Sequence, residues 1–256
     1  MRLRILGCSG ARSRESNPTC FLLDNKILID AGSVVNKLDG NSISNLEYLI
    51  LTHSHFDHIA DFPLLLDVLY WTMKKDFTIF SSEQTYDAMF SSVLNNKIWP
   101  DMVALSQSKE FKIKWVKFSD MEELNIPDYK ITPIMVNHAV PTHGLFVENG
   151  NAALVFSADT YKTDEIWDYC KSKSNLKAVI AGVSFPNDMD EIAQISKHLT
   201  PKIFFDSIQR FDRDTIQYYI SHIKPLFKSE VLSDLKDLSI NGRINILKDG
   251  DLIEID

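Results

Sequence analysis

Cysteine is scarce in this 256-residue chain: Cys8, Cys20 and Cys170 stand far apart, with no CxxC pair among them. An odd, scattered set cannot build a disulfide framework; it suits reduced thiols in a cytoplasm, read here as small buried hydrophobes. No apolar run is long enough to span a bilayer. The opening MRLRILGCSG passes straight into strand-like sequence without an apolar h-region, so a soluble cytoplasmic protein with no membrane partner is expected. Positive charge is also lacking. The formal net charge is -8, and residues 61 to 130 carry eight basic against eleven acidic side chains. A chain that grips many phosphates needs a concentrated basic face, so no nucleic-acid partner is expected. Neither GxxxxGK[ST] nor GxGxxG occurs, which removes NTPases and dinucleotide enzymes from the field. There is no internal repeat, low-complexity tract or linker, and residues 1–256 are expected to form one domain. At 45% hydrophobic and 24% charged residues, the chain can bury a sizeable core.

What is present is an alternation of short apolar strands with amphipathic helices. RLRILG (2–7), TCFLLD (19–24), KILIDA (26–31) and EYLILT (47–52) read as strands, the middle pair as a tight hairpin about Asn25. FPLLLDVLYWTMKK follows with helical spacing. Strand FTIFS and helix EQTYDAMFSSVL come next, then a less regular piece to about Ser108, then strands FKIKWVKF and YKITPIMVNH. GLFVENGNAALVFSAD reads as a hairpin turning at Asn149 and Gly150. The remainder gives helix TDEIWDYCKS, strand LKAVIAGVSF, helices MDEIAQISKH and TPKIFFDSIQRF, strand TIQYYISHI, helix LFKSEVLSDLKDL and a closing hairpin INILKDGDLIEID. Two blocks of strands, each followed by helices, predict two sheets packed face to face with helices outside, an α/β (α+β) four-layer αββα sandwich.

Three of the seven histidines fall within six positions of ILTHSHFDHIAD, residues 50–61. They follow a buried strand and precede a helix beginning near Asp61, so His53, His55, Asp57 and His58 are expected on the connecting loop, fixed by rigid elements on both sides. Capping the next helix needs one short polar residue, not four ligand-type residues in six. Imidazoles at alternate positions, then a carboxylate and an imidazole side by side, can aim two ligands at each of two metals. The donors suit zinc, manganese or iron. Further ligand-type residues stand at later strand ends: His138 in IMVNHAV, Asp159 in LVFSADT and His222 in YYISHIKP.

The ordered motifs HxHxDH, His, Asp and His resemble those of metallo-β-lactamase-fold hydrolases, from the GCSG and ILIDAG segments to HIKP. More narrowly, LTHSHFDHIADFPLLLD, VNHAVPTHG, FSADT, SFPN and HLTP resemble the bacterial branch of class II 3′,5′-cyclic-nucleotide phosphodiesterases. The resemblance implies two divalent metal ions per chain, zinc first, with His53, His55 and His138 on one, Asp57, His58 and His222 on the other, and Asp159 bridging. It implies a small-molecule phosphodiester substrate, hydrolysed to a 5′-nucleotide, with Asp57 and His198 in catalytic roles. Asp30, ending ILID, is expected to support the ligands, and His143 to contact substrate or lie in a solvated turn. Three departures from the family pattern stand out. Phe56 replaces leucine, an apolar exchange expected to repack the helix start. Ala158 replaces glycine before the bridging aspartate, which asks for a backbone conformation that alanine can adopt. Gly182 replaces a glutamate that would steady His198 as proton donor. An RNA-processing nuclease of the tRNase Z type, a thioesterase or lactonase, and a non-catalytic binding protein are the alternatives. Tyr70, Trp71, Phe80 and Trp99 are compatible with a homodimer interface, base stacking or the core.

Overall fold

The structure is a computed structural model and describes residues 1–209, 211, 214–236, 238 and 242–256. Six strands open the first sheet: β1 (Arg2–Gly7), β2 (Cys20–Leu23), β3 (Ile27–Ile29), β4 (Tyr48–Ile50), β5 (Phe77–Ser82) and β6 (Ile113–Phe118). β7 (Leu124–Ile126), β8 (Tyr129–Val136), β9 (Thr142–Asn149), β10 (Ala152–Phe156), β11 (Leu176–Gly182), β12 (Gln217–Ser221) and β13 (Ile244–Ile246) form the second; β14 (Leu252–Glu254) returns to the first. The orders are β14-β1-β2-β3-β4-β5-β6 and β13-β12-β11-β10-β9-β8-β7. The helices are α1 (Gly40–Ser44), α2 (Phe56–Ile59), α3 (Phe62–Thr72), α4 (Glu83–Ser92), α5 (Met102–Ser106), α6 (Glu165–Lys171), α7 (Asp190–Ser196), α8 (Pro201–Ile208) and α9 (Lys228–Lys236).

The central strands are buried on both faces, and the period-2 alternation of side chains sorts them into different layers. In β2, Phe21 and Leu23 enter the core between the sheets, with Leu3, Leu145 and Leu154. Cys20 and Leu22 point the other way and pack with Phe62, Leu65, Leu66 and Leu69 of α3. On the far side, Phe146, Val155 and Val179 meet Trp167 of α6 and Phe204 of α8. The result is the expected αββα sandwich. All three cysteines are buried and reduced.

The expected elements are present, most with shortened ends, although β5 runs on to Ser82, β9 begins at Thr142, and the β9–β10 hairpin turns at Gly150 and Asn151, one residue later than expected. The β2–β3 hairpin pairs Leu22 with Leu28 and turns through Asp24 and Asn25, both at positive φ. Two readings are corrected. The closing INILKDGDLIEID is no hairpin: β13 pairs in parallel with β12 in one sheet and β14 antiparallel with β1 in the other, so the segment crosses between sheets. Asp57 and His58 lie in the one-turn helix α2, not on the loop with His53 and His55. The irregular stretch before Ser108 contains α5, capped by the Asp101 carboxylate accepting from Ala104 N. Two residues expected within helices, Arg210 and Asp237, lie outside the described residues. Phe80 belongs to the inter-sheet core, whereas Trp71 is exposed with the Lys109 ammonium 4.7 Å from its ring.

Candidate metal centre

Parallel pairing gathers the site. β10, β11 and β12 run parallel, and β8 shares their direction because antiparallel β9 lies between β8 and β10. Their C-terminal ends therefore meet at one edge, carrying His138, Asp159 and His222. In the other sheet, β3 and β4 are parallel and deliver Asp30 and the His53–His58 segment to the same edge. The loop after β1 stitches the sheets together there: His222 N donates to Cys8 O (2.6 Å), and Gly10 N to Ile223 O (3.2 Å). A Cβ on Gly10 would lie 2.8 Å from His222 O and 3.0 Å from the His222 ring, so only glycine permits this approach.

Two ligand groups result. His53, His55, His138 and Asp159 form one, and Asp57, His58 and His222 the other, with donor atoms in each group within 4.8 Å of one another. Asp159 lies between them. Its Oδ2 is 3.1 Å from His222 Nε2, 3.2 Å from His58 Nε2 and 3.8 Å from His53 Nε2. His138 Nε2 is 3.0 Å from His55 Nδ1, and Asp57 Oδ2 is 3.6 Å from His222 Nε2. A third grouping, Asp159, His198 and His222, sets His198 against the cluster, its ring stacked on His222 with centroids 5.4 Å apart.

Most of the rings are held through the nitrogen that faces away from the cluster. The buried Asp30 carboxylate accepts from His58 Nδ1 (2.6 Å), Thr52 N (2.9 Å) and Thr52 Oγ1, and the same Thr52 hydroxyl meets His53 Nδ1 at 3.0 Å. Thr19 Oγ1 lies 2.9 Å from His222 Nδ1. His138 Nδ1 is 2.9 Å from Lys197 O, aimed by the left-handed C-cap of α7 at φ +59°. Such contacts fix the tautomer and orientation of a metal-ligating imidazole.

The inward atoms test the fit to metal. His53 Nε2, His58 Nε2, His222 Nε2 and Asp159 Oδ2 are all buried without a hydrogen-bond partner. Orphaned buried polar atoms are costly, and four converging on one point are the donor set a divalent cation satisfies. Electrostatics agrees for His53, His222 and Asp159. Burial pushes His53 well below the ordinary histidine range and His222 down to about 3, which favours the neutral, ligating form. Burial also opposes the charge on His58, but Asp159 and Asp30 outweigh it and raise that pKa well above the usual value. Burial opposes ionisation of Asp159, yet His222 and His58 hold its carboxyl well below the usual range. Asp30, Ala158 and His222 all sit at positive φ, between +52° and +58°. Backbone strain of this kind collects at functional sites.

The remaining expected residues divide. Asp30 is in place against the ligands. His143 is neither in a solvated turn nor among the ligands: it is buried in β9, edge-on to Phe118, its ring nitrogens without a hydrogen bond and Nε2 4.0 Å from Asp120 Oδ1, and its backbone N–H donates to Thr52 O. Phe56 does not repack the helix start, since its side chain is 76% exposed. At Gly182, a Cβ would meet Ala158 O at 3.1 Å and Asp159 Oδ1 at 3.5 Å. Ser184, two residues on, places Oγ 3.2 Å from His198 Nδ1 and takes the steadying position. Thr19, Ser184 and Lys197 were not expected from sequence. A hydroxyl has no distinctive spacing, and Lys197 acts through its carbonyl, which its side chain does not encode.

Comparison with known proteins agrees with the fold. The crystal structure of unliganded yeast PDE1 superposes with a TM-score of 0.84 at 16% identity, covering 98% of each chain. The metallo-β-lactamase-fold protein YhfI of Bacillus subtilis superposes at 0.78 with 20% identity, covering 99% of each chain. In sequence, the 3′,5′-cyclic-nucleotide phosphodiesterase 1 of Saccharomyces cerevisiae is 29% identical over 91 residues, 35% of this chain. The match spans about a quarter (24%) of that relative's length. At these identities the superpositions establish the metallo-β-lactamase fold. The family is fixed by sequence across nearly the whole chain: residues 1–223 match the family described as "Anti-Pycsar protein Apyc1", and the chain belongs to it.

Proposed function

We propose that this metallo-β-lactamase-fold hydrolase cleaves 3′,5′-cyclic nucleotides to 5′-nucleotides at a binuclear metal centre. The observation that carries the reading is the shared carboxylate: Asp159 Oδ2 stands within 3.2 Å of His58 and His222 and 3.8 Å of His53. His53, His55 and His138 would hold one ion and Asp57, His58 and His222 a second, with Asp159 within reach of both groups. The name of the yeast relative, a 3′,5′-cyclic-nucleotide phosphodiesterase, supports the substrate class. Zinc, manganese and iron all suit these donors.

When bound, two divalent ions supply Lewis acidity that activates water near neutral pH and neutralises charge on phosphoryl oxygens. The chain's own residues do the positioning. Burial of His53, His58, His222 and Asp159 keeps the centre in a low-dielectric surround where charge stabilisation is strong. Asp30, Thr52, Thr19 and the Lys197 carbonyl hold the imidazoles in one tautomer, so little reorganisation is needed at the moment of reaction. In the reaction a water oxygen bonds to phosphorus, the bond from phosphorus to O3′ breaks, and O3′ takes a proton. We assign His198 to that departing oxygen. Ser184 holds its Nδ1, leaving Nε2 for the substrate, and the proton arrives through this ring or from water. Burial brings the pKa of His198 down to about 4.

The test is metal analysis of the purified protein, followed by turnover of cyclic nucleotides, linear phosphodiesters and thioesters side by side. Two ions per chain and highest kcat/KM on a 3′,5′-cyclic nucleotide are expected. Preference for a thioester, or turnover that persists after complete removal of metal, would overturn the reading.

A further inference from the structure

Large apolar side chains that protrude into solvent need a reason when they stand beside a charged cluster. Phe56 is 76% exposed, and its chain neighbours are His55 and Asp57, one from each ligand group. Ile195 is 81% exposed on α7, three residues before His198, and Leu226 is 80% exposed, four residues after His222. The contacts already described bring these segments together around the cluster. His55 meets His138, which is held by Lys197 O beside Ile195. Asp57 meets His222, from which the chain runs on to Leu226. Phe56 therefore stands between the two junctions, with the other apolar side chains on the segments that flank it.

We propose that Phe56, together with Ile195 and Leu226, forms an apolar collar that receives the nucleobase of the substrate, with Phe56 as the stacking platform. This rests on the phosphodiesterase reading above. An occupant must present an anionic end to the buried cluster and an apolar, flat end to the collar, and a nucleotide has both. A stacked base gains from any aromatic face, independently of its hydrogen-bonding edge. A second copy of this chain is the poorer occupant, because covering Phe56 would close the approach to His55 and Asp57. The exposure of Phe56 also accounts for an aromatic ring at this position, where leucine is expected: leucine is apolar enough for a lip but offers no ring face.

The experiment compares Phe56→Ala, Phe56→Leu, Ile195→Ala and Leu226→Ala with the parent, all metal-loaded. Affinity for a slowly hydrolysed cyclic nucleoside phosphorothioate is measured by calorimetry. The values of kcat and KM are measured on a cyclic nucleotide and on methyl p-nitrophenyl phosphate, which has no base. For Phe56→Ala, about a 10-fold or greater rise in both the phosphorothioate Kd and the nucleotide KM is expected, with a much smaller effect on the baseless diester. Leucine should recover only part of the loss. Unchanged phosphorothioate affinity, equal losses on both substrates, or a change in sedimentation mass on losing Phe56 would each overturn the collar while leaving the phosphodiesterase reading intact. A parent protein that turns over the baseless diester yet binds no cyclic nucleotide would overturn both.

Discussion

At the scale of single residues, the centre depends as much on hydroxyls and a main-chain carbonyl as on the ligand-type side chains. Thr19 is the clearest case, because its hydroxyl is the group that meets His222 Nδ1. Thr19→Val keeps the volume and removes that contact, so metal affinity is expected to fall roughly 10- to 100-fold, the usual consequence of losing a partner that orients a ligand; titration with a competing chelator measures it. For His198 the distinguishing measurement is the leaving group. His198→Ala should lower turnover of a cyclic nucleotide by about 10²-fold, the lower end for proton transfer at a leaving oxygen. It should do much less on p-nitrophenyl diesters, whose leaving group departs without a proton. Equal losses with metal content preserved would make His198 a binding group. The convergence of seven ligand-type residues was legible because carboxylates and imidazoles in HxHxDH spacing have few other uses. What surrounds them was not. Ser184 replaces an expected glutamate from two positions away, and Ala158 accepts a φ of +52° that sequence leaves open.

At the scale of elements, strand identity was readable from apolar runs, whereas partnership across long separations was not. β13 and β14 look like the arms of a hairpin in sequence, yet each pairs at the edge of a different sheet. Local pattern gives the elements but not which long-range pairing buries more surface. The loop after β1 is the second such case. Its Ser9 pairs with both Pro18 and Ile223, joining the beginning of one sheet to the end of a strand in the other. Gly10 makes that approach possible. Gly10→Ala must displace either this loop or His222, since its Cβ would contact the His222 carbonyl oxygen and ring. The second ion should therefore be lost in preference to the first. The expected outcome is metal stoichiometry near one per chain with most of the helical circular-dichroism signal retained. Two tightly held ions in this variant would show that the loop does not constrain His222.

At the scale of the molecule, the ligands come from both sheets. His53, His55, Asp57 and His58 follow a strand of the first sheet, and His138, Asp159 and His222 follow strands of the second. Bound ions would thus tie together two layers otherwise held mainly by the apolar core between them. No helix among the described residues is long and apolar enough to cross a membrane. Ions bound only by the folded chain stabilise it by mass action, about 4 kcal/mol at a free concentration 1,000 times Kd. For a chain of this size that shifts Tm by about 10 °C per ion. Stripping the protein with a chelator is therefore expected to lower Tm by that order in scanning calorimetry. In His222→Ala, which leaves one ligand group whole, the chelator-sensitive part should shrink to about half. Because ligating imidazoles must be deprotonated, the same part should also fade as pH drops. A Tm unmoved by chelator in the parent protein, with metal shown beforehand to be bound, would mean that the ions do not tie the two sheets.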